Sequence, residues 1–66
     1  MNLNKLRGKI VENELNVEKL ADIIGLDRSS LYRKLNNGER ITIGEAVKMK
    51  EALGLSESEA YDIFLA

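Results

Sequence analysis

The sequence contains no cysteine and no histidine among its 66 residues. Without cysteine, neither disulfide bonds nor a thiolate metal site can stabilise the fold. Without histidine as well, the commonest general base and the usual zinc ligands are missing, and only carboxylates, lysine, tyrosine and serine remain for chemistry. Because these side chains form no converging constellation, we expect no enzyme, no metal site, no cofactor and no small-molecule ligand.

Long hydrophobic runs are absent too. No stretch approaches the roughly 18 apolar residues that a membrane span needs. The first residues, Met1 to Asn4, also lack the apolar segment of a signal peptide. We therefore expect a soluble, cytoplasmic protein without a membrane partner. A chain this short, with 44% hydrophobic residues, is expected to form a single domain over 1–66.

Charge is distributed unevenly along the chain, although the net charge is only −1. Residues 1–50 contain all ten lysines and arginines against seven acidic residues, whereas residues 51–66 contain four acidic residues and no basic one. This asymmetry suggests one face directed at phosphate and another turned away from it. Equally, the acidic residues could simply solvate a terminal helix.

Four helix starts can be read from the sequence. Each has a capping residue that is preceded by an apolar residue and followed by another apolar residue four positions later. The capping residues are Asn16, Asp27, Thr42 and Ser56. Three positions after the last two stand Glu45 and Glu59, which complete two capping boxes.

Apolar residues recur with a period of about 3.6 in five segments, and no segment alternates with period two. The expected inward residues are Leu3, Leu6 and Ile10, then Val17, Leu20, Ile23 and Ile24, then Leu31 and Leu35, then Ile43, Ala46, Val47 and Leu53, and finally Ala60, Ile63 and Phe64. Gly25, Gly38 and Gly54 stand where helices should end. The pattern predicts an all-α fold, a compact bundle of five short helices.

The second and third helices are separated by little more than Gly25 and Leu26. Such a short joint forces a sharp angle, which is the geometry of a helix-turn-helix. Ala21, four positions before Gly25, is small enough to let the two helices cross closely. The sequence therefore predicts a helix-turn-helix over about 16–36.

The same region carries a resemblance to a known family. Its motifs are Leu20-Ala21, Ile24-Gly25-Leu26, Leu31 and Asn37-Gly38-Glu39-Arg40, and they continue through Ala46, Lys48, Ala52, Leu53, Gly54 and Leu55. With these motifs the chain resembles the XRE family, which includes the Cro and CI-type repressors of phages. The resemblance covers nearly the whole chain. It implies a lambda-repressor-like domain, and a repressor that reads an inverted-repeat DNA operator in the major groove, in the bacterial cytoplasm or a phage-infected cell.

The third helix is expected to contact DNA bases. With Leu31 and Leu35 inward, its opposite face is polar, and in the family the base-reading residues begin in the first turn. The candidate base contacts are Arg28, Ser29, Ser30, Tyr32 and Arg33. An arginine can hold O6 and N7 of guanine with two parallel hydrogen bonds. The alternative interpretation is an ordinary solvated helix face.

Phosphate contacts are expected at the flanks of that helix. The candidates are Asn16, Asn37 and Arg40. Asn37 and Arg40 match the family's turn after the third helix, whereas Asn16 is chosen for its capping position. Asn before Gly is also what a tight turn prefers, so Asn37 could be purely structural.

Three positions depart from the family pattern. Val17 stands where the family often has a glutamine that touches the DNA backbone. Glu14 replaces a glycine that commonly ends the first helix, so Asn13 is expected to take the left-handed conformation instead. Lys34 stands where an apolar residue is frequent, so the third helix could be rotated or one residue longer.

The C-terminal segment suggests a protein partner. A single helix reads too few base pairs for a genome, so we expect a weak homodimer through Tyr61, Phe64 and Leu65. Alternatively, Tyr61 and Leu65 could complete the core. Two other functions stay open: a helical protein-interaction module, and an antitoxin-like protein that binds both DNA and a second protein.

Overall fold

The computed structural model describes residues 1–37 and 40–65. These residues form five α-helices and no strand, which confirms the predicted all-α bundle. The helices are α1 (Leu3–Glu12), α2 (Val17–Ile24), α3 (Arg28–Asn37), α4 (Ile43–Leu53) and α5 (Glu57–Phe64). Gly38, expected to end the third helix, and Glu39, part of the motif after it, lie outside the described residues.

Three of the joints between helices share one local structure, in residues 14–16, 25–27 and 54–56. Each begins with a left-handed residue, at φ +59° for Glu14, +73° for Gly25 and +62° for Gly54. A leucine follows, and its N–H donates to the carbonyl five residues earlier, at 2.9–3.0 Å. This is the Schellman ending of a helix. The next residue caps the following helix, so the chain reverses within three residues.

The prediction for the end of α1 is wrong. Asn13 has φ −87°, and Glu14 takes the left-handed conformation. The side-chain amide of Asn13 donates to the carbonyl of Lys9 at 2.8 Å and to that of Leu53 at 3.2 Å. These bonds hold Asn13 in line with the helix and tie the end of α1 to the end of α4. The reversal therefore falls on the next residue, the position at which the family pattern has glycine.

The predicted capping residues are confirmed. Asn16 accepts from the N–H of Lys19 at 2.8 Å, and the carboxylate of Asp27 accepts from the N–H of Ser30 at 3.0 Å. At Thr42 and at Ser56 both halves of a capping box are present. These side chains satisfy N–H groups that the first turn of a helix leaves unpaired.

One hydrophobic core draws on all five helices. Its buried residues are Leu6, Ile10, Leu20, Ala21, Ile24, Leu31, Leu35, Met49, Leu53, Leu55 and Ile63. Three residues expected to face inward do not: Ile23, Ile43 and Val47 are exposed. In α4 the buried residue is Met49, which at 100° per residue lies about 160° around the axis from Val47. The inward stripe of α4 therefore runs through Met49 and Leu53, and Ile43 and Val47 are left outside it.

Helix α2 packs against α3 and α4, while α5 packs against α1 and α4. The contact of α1 with α5 is polar as well as apolar. Lys5 pairs with Asp62 at 3.1 Å, Lys9 pairs with Glu59, and the N–H of Asn2 donates to the carbonyl of Ile63 at 2.7 Å. None of the described helices has the length and apolar character needed to cross a membrane.

Candidate nucleic-acid interface

The joint of α2 and α3 holds the predicted interface in place. Gly25 ends α2 in the left-handed conformation, and α3 begins three residues later. Ala21, on the inner side of α2, is completely buried, as are Leu31 and Leu35 on α3. Because two residues one turn apart on α3 are locked in the core, the opposite face of this helix must point outward.

The outward face of α3 is polar, as the sequence predicts. Its exposed residues are Arg28, Ser29, Tyr32, Arg33, Asn36 and Asn37. Ser30, also predicted to contact bases, is set apart from them because it is half-buried. Its N–H and its hydroxyl both lie against the Asp27 carboxylate, at 3.0 and 3.4 Å. Ser30 therefore helps to start the helix.

Arg28 lies against two carboxylates of α2. Its Nε and Nη2 donate to Asp22 at 3.1 and 2.6 Å, and its Nη1 donates to Glu18 at 3.2 Å. The hydroxyl of Tyr32 donates to the same Glu18 carboxylate at 3.3 Å. We call these four residues the Arg28 cluster. Two of the predicted base-contacting side chains, Arg28 and Tyr32, therefore belong to one hydrogen-bonded group.

The Arg28 cluster makes the charge of the candidate interface more negative than its arginine alone suggests. The hydrogen bond from Arg28 and its positive charge lower the pKa of Asp22, so this carboxylate stays ionised. Two carboxylates against one guanidinium leave the cluster with a net charge of about −1. Glu18 and Asp22 are not among the site residues predicted from the sequence. Their spacing of four on α2 was a usable signal, since it places both on one face of the helix.

Two positively charged side chains on or near α3, Lys34 and Arg7, already bind groups of the protein. Lys34 is mostly buried and pairs with Glu45 of α4, so its charge is used to link the two helices. Arg7 of α1 donates to the carbonyl of Leu35 at 3.5 Å and to Oδ1 of Asn36 at 2.9 Å. This places a guanidinium from α1 beside the end of α3, which the sequence alone did not reveal.

The three predicted phosphate contacts lie at the ends of helices or just beyond them. Asn16 precedes α2, and since its side-chain oxygen accepts from Lys19, its NH₂ group is the donor that a phosphate could take. Asn37 is the last residue of α3, and Arg40 is exposed three positions later. Residues 38 and 39, which separate them in the sequence, are outside the described residues.

The predicted dimer surface lies on α5. Tyr61 and Leu65 are 57% and 73% exposed, so the alternative that they complete the core is wrong, whereas Phe64 is half-buried against the core. Together with Ile43 and Val47 of α4 they line a shallow apolar groove of about 430 Å³. We call this the α4–α5 groove.

Comparison with known proteins finds no relative of this chain. No family model, no curated protein and no solved structure matches the chain.

Proposed function

We propose that this protein is a sequence-specific, double-stranded DNA-binding transcriptional regulator, in which α2 and α3 act as a helix-turn-helix. One observation carries the proposal: α3 has two sharply different faces. Leu31 and Leu35 are completely buried, while the opposite face presents a row of exposed polar side chains. A helix held from behind by its core contacts, with hydrogen-bonding groups in front, fits the major groove. The XRE resemblance of the sequence supports the same role and favours a repressor.

In this proposal Arg28, Ser29, Tyr32 and Arg33 contact base edges. Each arginine that holds a guanine bidentately contributes about 1–3 kcal/mol of discrimination. Ser30 has a smaller part, because its hydroxyl already lies against Asp27. Asn16, Asn37 and Arg40 contact phosphates and set the register of the protein on the duplex.

The α4–α5 groove serves in this proposal as the contact between two copies of the chain. Lys50 and Glu57 both line it. In a two-fold contact, a pairing of Lys50 with Glu57 of the partner copy is repeated with the roles of the two copies exchanged. Two opposite-charge pairs can therefore form, one on each side of the axis. The molecule measures 28 × 23 × 20 Å. A dimer of molecules of this size is large enough to span two half-sites whose centres are about 34 Å, one helical turn, apart.

The test is selection from a pool of random DNA duplexes, at low salt and at a protein concentration that favours a weak dimer. We expect enrichment of an inverted repeat with half-site centres about one turn apart. Arg33→Ala should lose enrichment at one position of each half-site. Lys48→Ala is the matched control, since it also removes one exposed positive charge but from α4. Retention without any enriched sequence, abolished by modest salt, would contradict the proposal.

The second candidate is a helical protein-interaction module, including the antitoxin-like case. The exposed apolar α4–α5 groove and the negative charge of the Arg28 cluster favour it. Copurification of a tagged chain distinguishes the two functions. In this second case a partner is retained by the protein, and the double variant of Arg28 and Arg33 to alanine retains it equally well. Loss of retention on Tyr61→Ala would place that partner in the groove.

A further inference from the structure

The carboxylates of Glu18 and Asp22 occupy a place where a DNA-binding surface would be expected to carry positive charge. We propose that they are positioning residues that determine specificity: they hold the Arg28 guanidinium in one orientation and weaken binding to DNA of unrelated sequence. This inference rests on the proposed function, and it names two residues that do not need to touch a base.

The hydrogen bonds of the cluster favour one orientation of the guanidinium. Asp22 accepts hydrogen bonds side-on from Nε and Nη2, at 3.1 and 2.6 Å, and Glu18 accepts one from Nη1 at 3.2 Å. Three of the five N–H groups of an arginine are thereby engaged, and two remain for a base. A free arginine loses rotamer entropy when it binds, whereas one already held in place loses less. Tyr32 is held by the same Glu18 carboxylate, at 3.3 Å.

The charge of the cluster distinguishes a base from a phosphate. A phosphate that approaches Arg28 must also approach the two carboxylates that hold it, and like charges a few ångströms apart repel. Guanine is neutral, and its O6 and N7 atoms carry only partial negative charge, so a guanine edge escapes most of this repulsion. The cluster therefore permits base contact by Arg28 while opposing its use as a general phosphate anchor. This matters because phosphate contacts supply nearly all the affinity for unrelated DNA.

A purely structural role for these ion pairs is a weak alternative. The side chains of Glu18, Asp22 and Arg28 are each about half exposed. Exposed ion pairs contribute little to stability, because solvent and salt screen them. Substitution of either carboxylate should therefore leave the fold intact, and its effect can be read in DNA binding.

The experiment compares Asp22→Asn and Glu18→Gln with the wild type. Both variants remove a charge and keep the shape of the side chain. Glu12→Gln is the matched control, because it removes one negative charge from an exposed carboxylate, which pairs with Lys9 in α1. Affinity is measured across a salt series for two duplexes: the sequence enriched by selection, and a scrambled sequence of the same composition. Guanidinium Nε–H exchange of Arg28 is followed by NMR in the protein without DNA.

For Asp22→Asn we expect affinity for the scrambled duplex to rise about tenfold, with the salt slope steeper by about one unit. The ratio of the two affinities should fall, and Nε–H exchange of Arg28 should become faster. Glu18→Gln should act in the same direction, while Glu12→Gln leaves the ratio unchanged. Equal changes on both duplexes, or an Arg28 Nε–H that exchanges in the wild type as fast as in Asp22→Asn, would overturn the inference and leave the proposed function standing. Equal affinity of the wild type for both duplexes would overturn both.

Discussion

Lys34 of α3 donates to both carboxylate oxygens of Glu45 in α4, at 2.8 and 2.9 Å. Both side chains are only 18% exposed. The same carboxylate accepts from the N–H of Thr42 at 2.9 Å and so completes the capping box of α4. The Glu45 side chain thus helps to start α4 and links this helix to α3. This explains why a lysine is tolerated at a position where the XRE resemblance favours an apolar residue.

The two tasks of Glu45 can be separated by mutation. Glu45→Ala removes the ion pair together with the carboxylate half of the capping box, while the hydroxyl of Thr42 can still accept from the N–H of residue 45. We expect it to lower the free energy of unfolding by about 1–2 kcal/mol. Lys34→Met removes only the ion pair and leaves Glu45 bonded to Thr42, so its cost should be smaller, about 1 kcal/mol for this partly buried pair. Urea unfolding of both variants measures the difference. A larger loss for Lys34→Met would mean that the ion pair, rather than the cap, is the main contribution.

Stability should fall in acid, and Glu59 should be one of the causes. Its hydrogen bonds from Lys9, first, and from Ser56 lower its pKa from 4.5 to about 2. A carboxyl whose pKa is lowered by folding contributes stability above its ordinary pKa and loses that contribution as the pH falls through the folded value. The free energy of unfolding should therefore drop between about pH 5 and pH 2.

The contribution of Glu59 to this drop is tested with Glu59→Gln. The amide of this variant takes up no proton as the pH falls, so the unfolding free energy should depend less on pH than that of the wild type. Urea unfolding at several values between pH 7 and pH 2 gives the two curves. Parallel curves would show that the other carboxyls with lowered pKa, Asp22 and Glu45, account for the whole effect.

Glu14 is the one residue other than glycine with positive φ in the part of the chain that the structure describes. A left-handed conformation costs a residue with a Cβ about 1 kcal/mol, and glycine avoids that cost. Part of the gain is offset because glycine also gives the unfolded chain more freedom. We expect Glu14→Gly to raise the free energy of unfolding by about 0.5 kcal/mol, measured by urea unfolding.

Gly25→Ala is the reciprocal variant. A Cβ at Gly25 would meet nothing within 4 Å, so only the backbone conformation opposes it. The expected loss is about 1 kcal/mol. If Glu14→Gly destabilises the protein, the backbone at Glu14 is not strained.

Arg33 and Arg40 should affect DNA binding in different ways. If Arg33 reads a base, Arg33→Ala should relax the preference at one position of each half-site, at a cost of about 1–3 kcal/mol. If Arg40 contacts phosphate, Arg40→Ala should weaken binding to all duplexes alike and reduce the salt slope by about one unit. Binding titrations on single-base variants of the enriched duplex, repeated at several salt concentrations, measure both. Equal effects from the two variants would contradict the assigned roles.

The sequence predicted the helices well because their starts depend on local chemistry. Caps at Asn16, Thr42 and Ser56 act within one turn, so short spacings reveal them. The left-handed conformation of Glu14 could also have been predicted from the sequence. Its successors, Leu15 and Asn16, repeat the leucine and capping residue that follow Gly25 and Gly54, and this parallel marks the residue before the leucine as the reversing one.

Other features depend on contacts between helices and could not be read locally. In α4, apolar type alone favoured Ile43 and Val47 as well as Leu53, but in the structure Met49 is buried with Leu53 and the first two are exposed. The Arg28 cluster likewise forms only because the joint after α2 brings Arg28 back over Asp22, six residues earlier. The exposed face of α3 was predictable from the helical positions of Leu31 and Leu35, whereas the hydrogen-bond partners of its side chains were not.

The most direct test of the central claim is one comparison of affinities. The duplex enriched by selection and a scrambled duplex of the same composition are titrated with the wild-type protein at 150 mM salt, with fluorescence anisotropy as the signal. If α3 reads DNA sequence, the enriched duplex should bind at least about a thousandfold more tightly. Equal affinity for the two duplexes would contradict the account, because binding would then depend on phosphate charge alone.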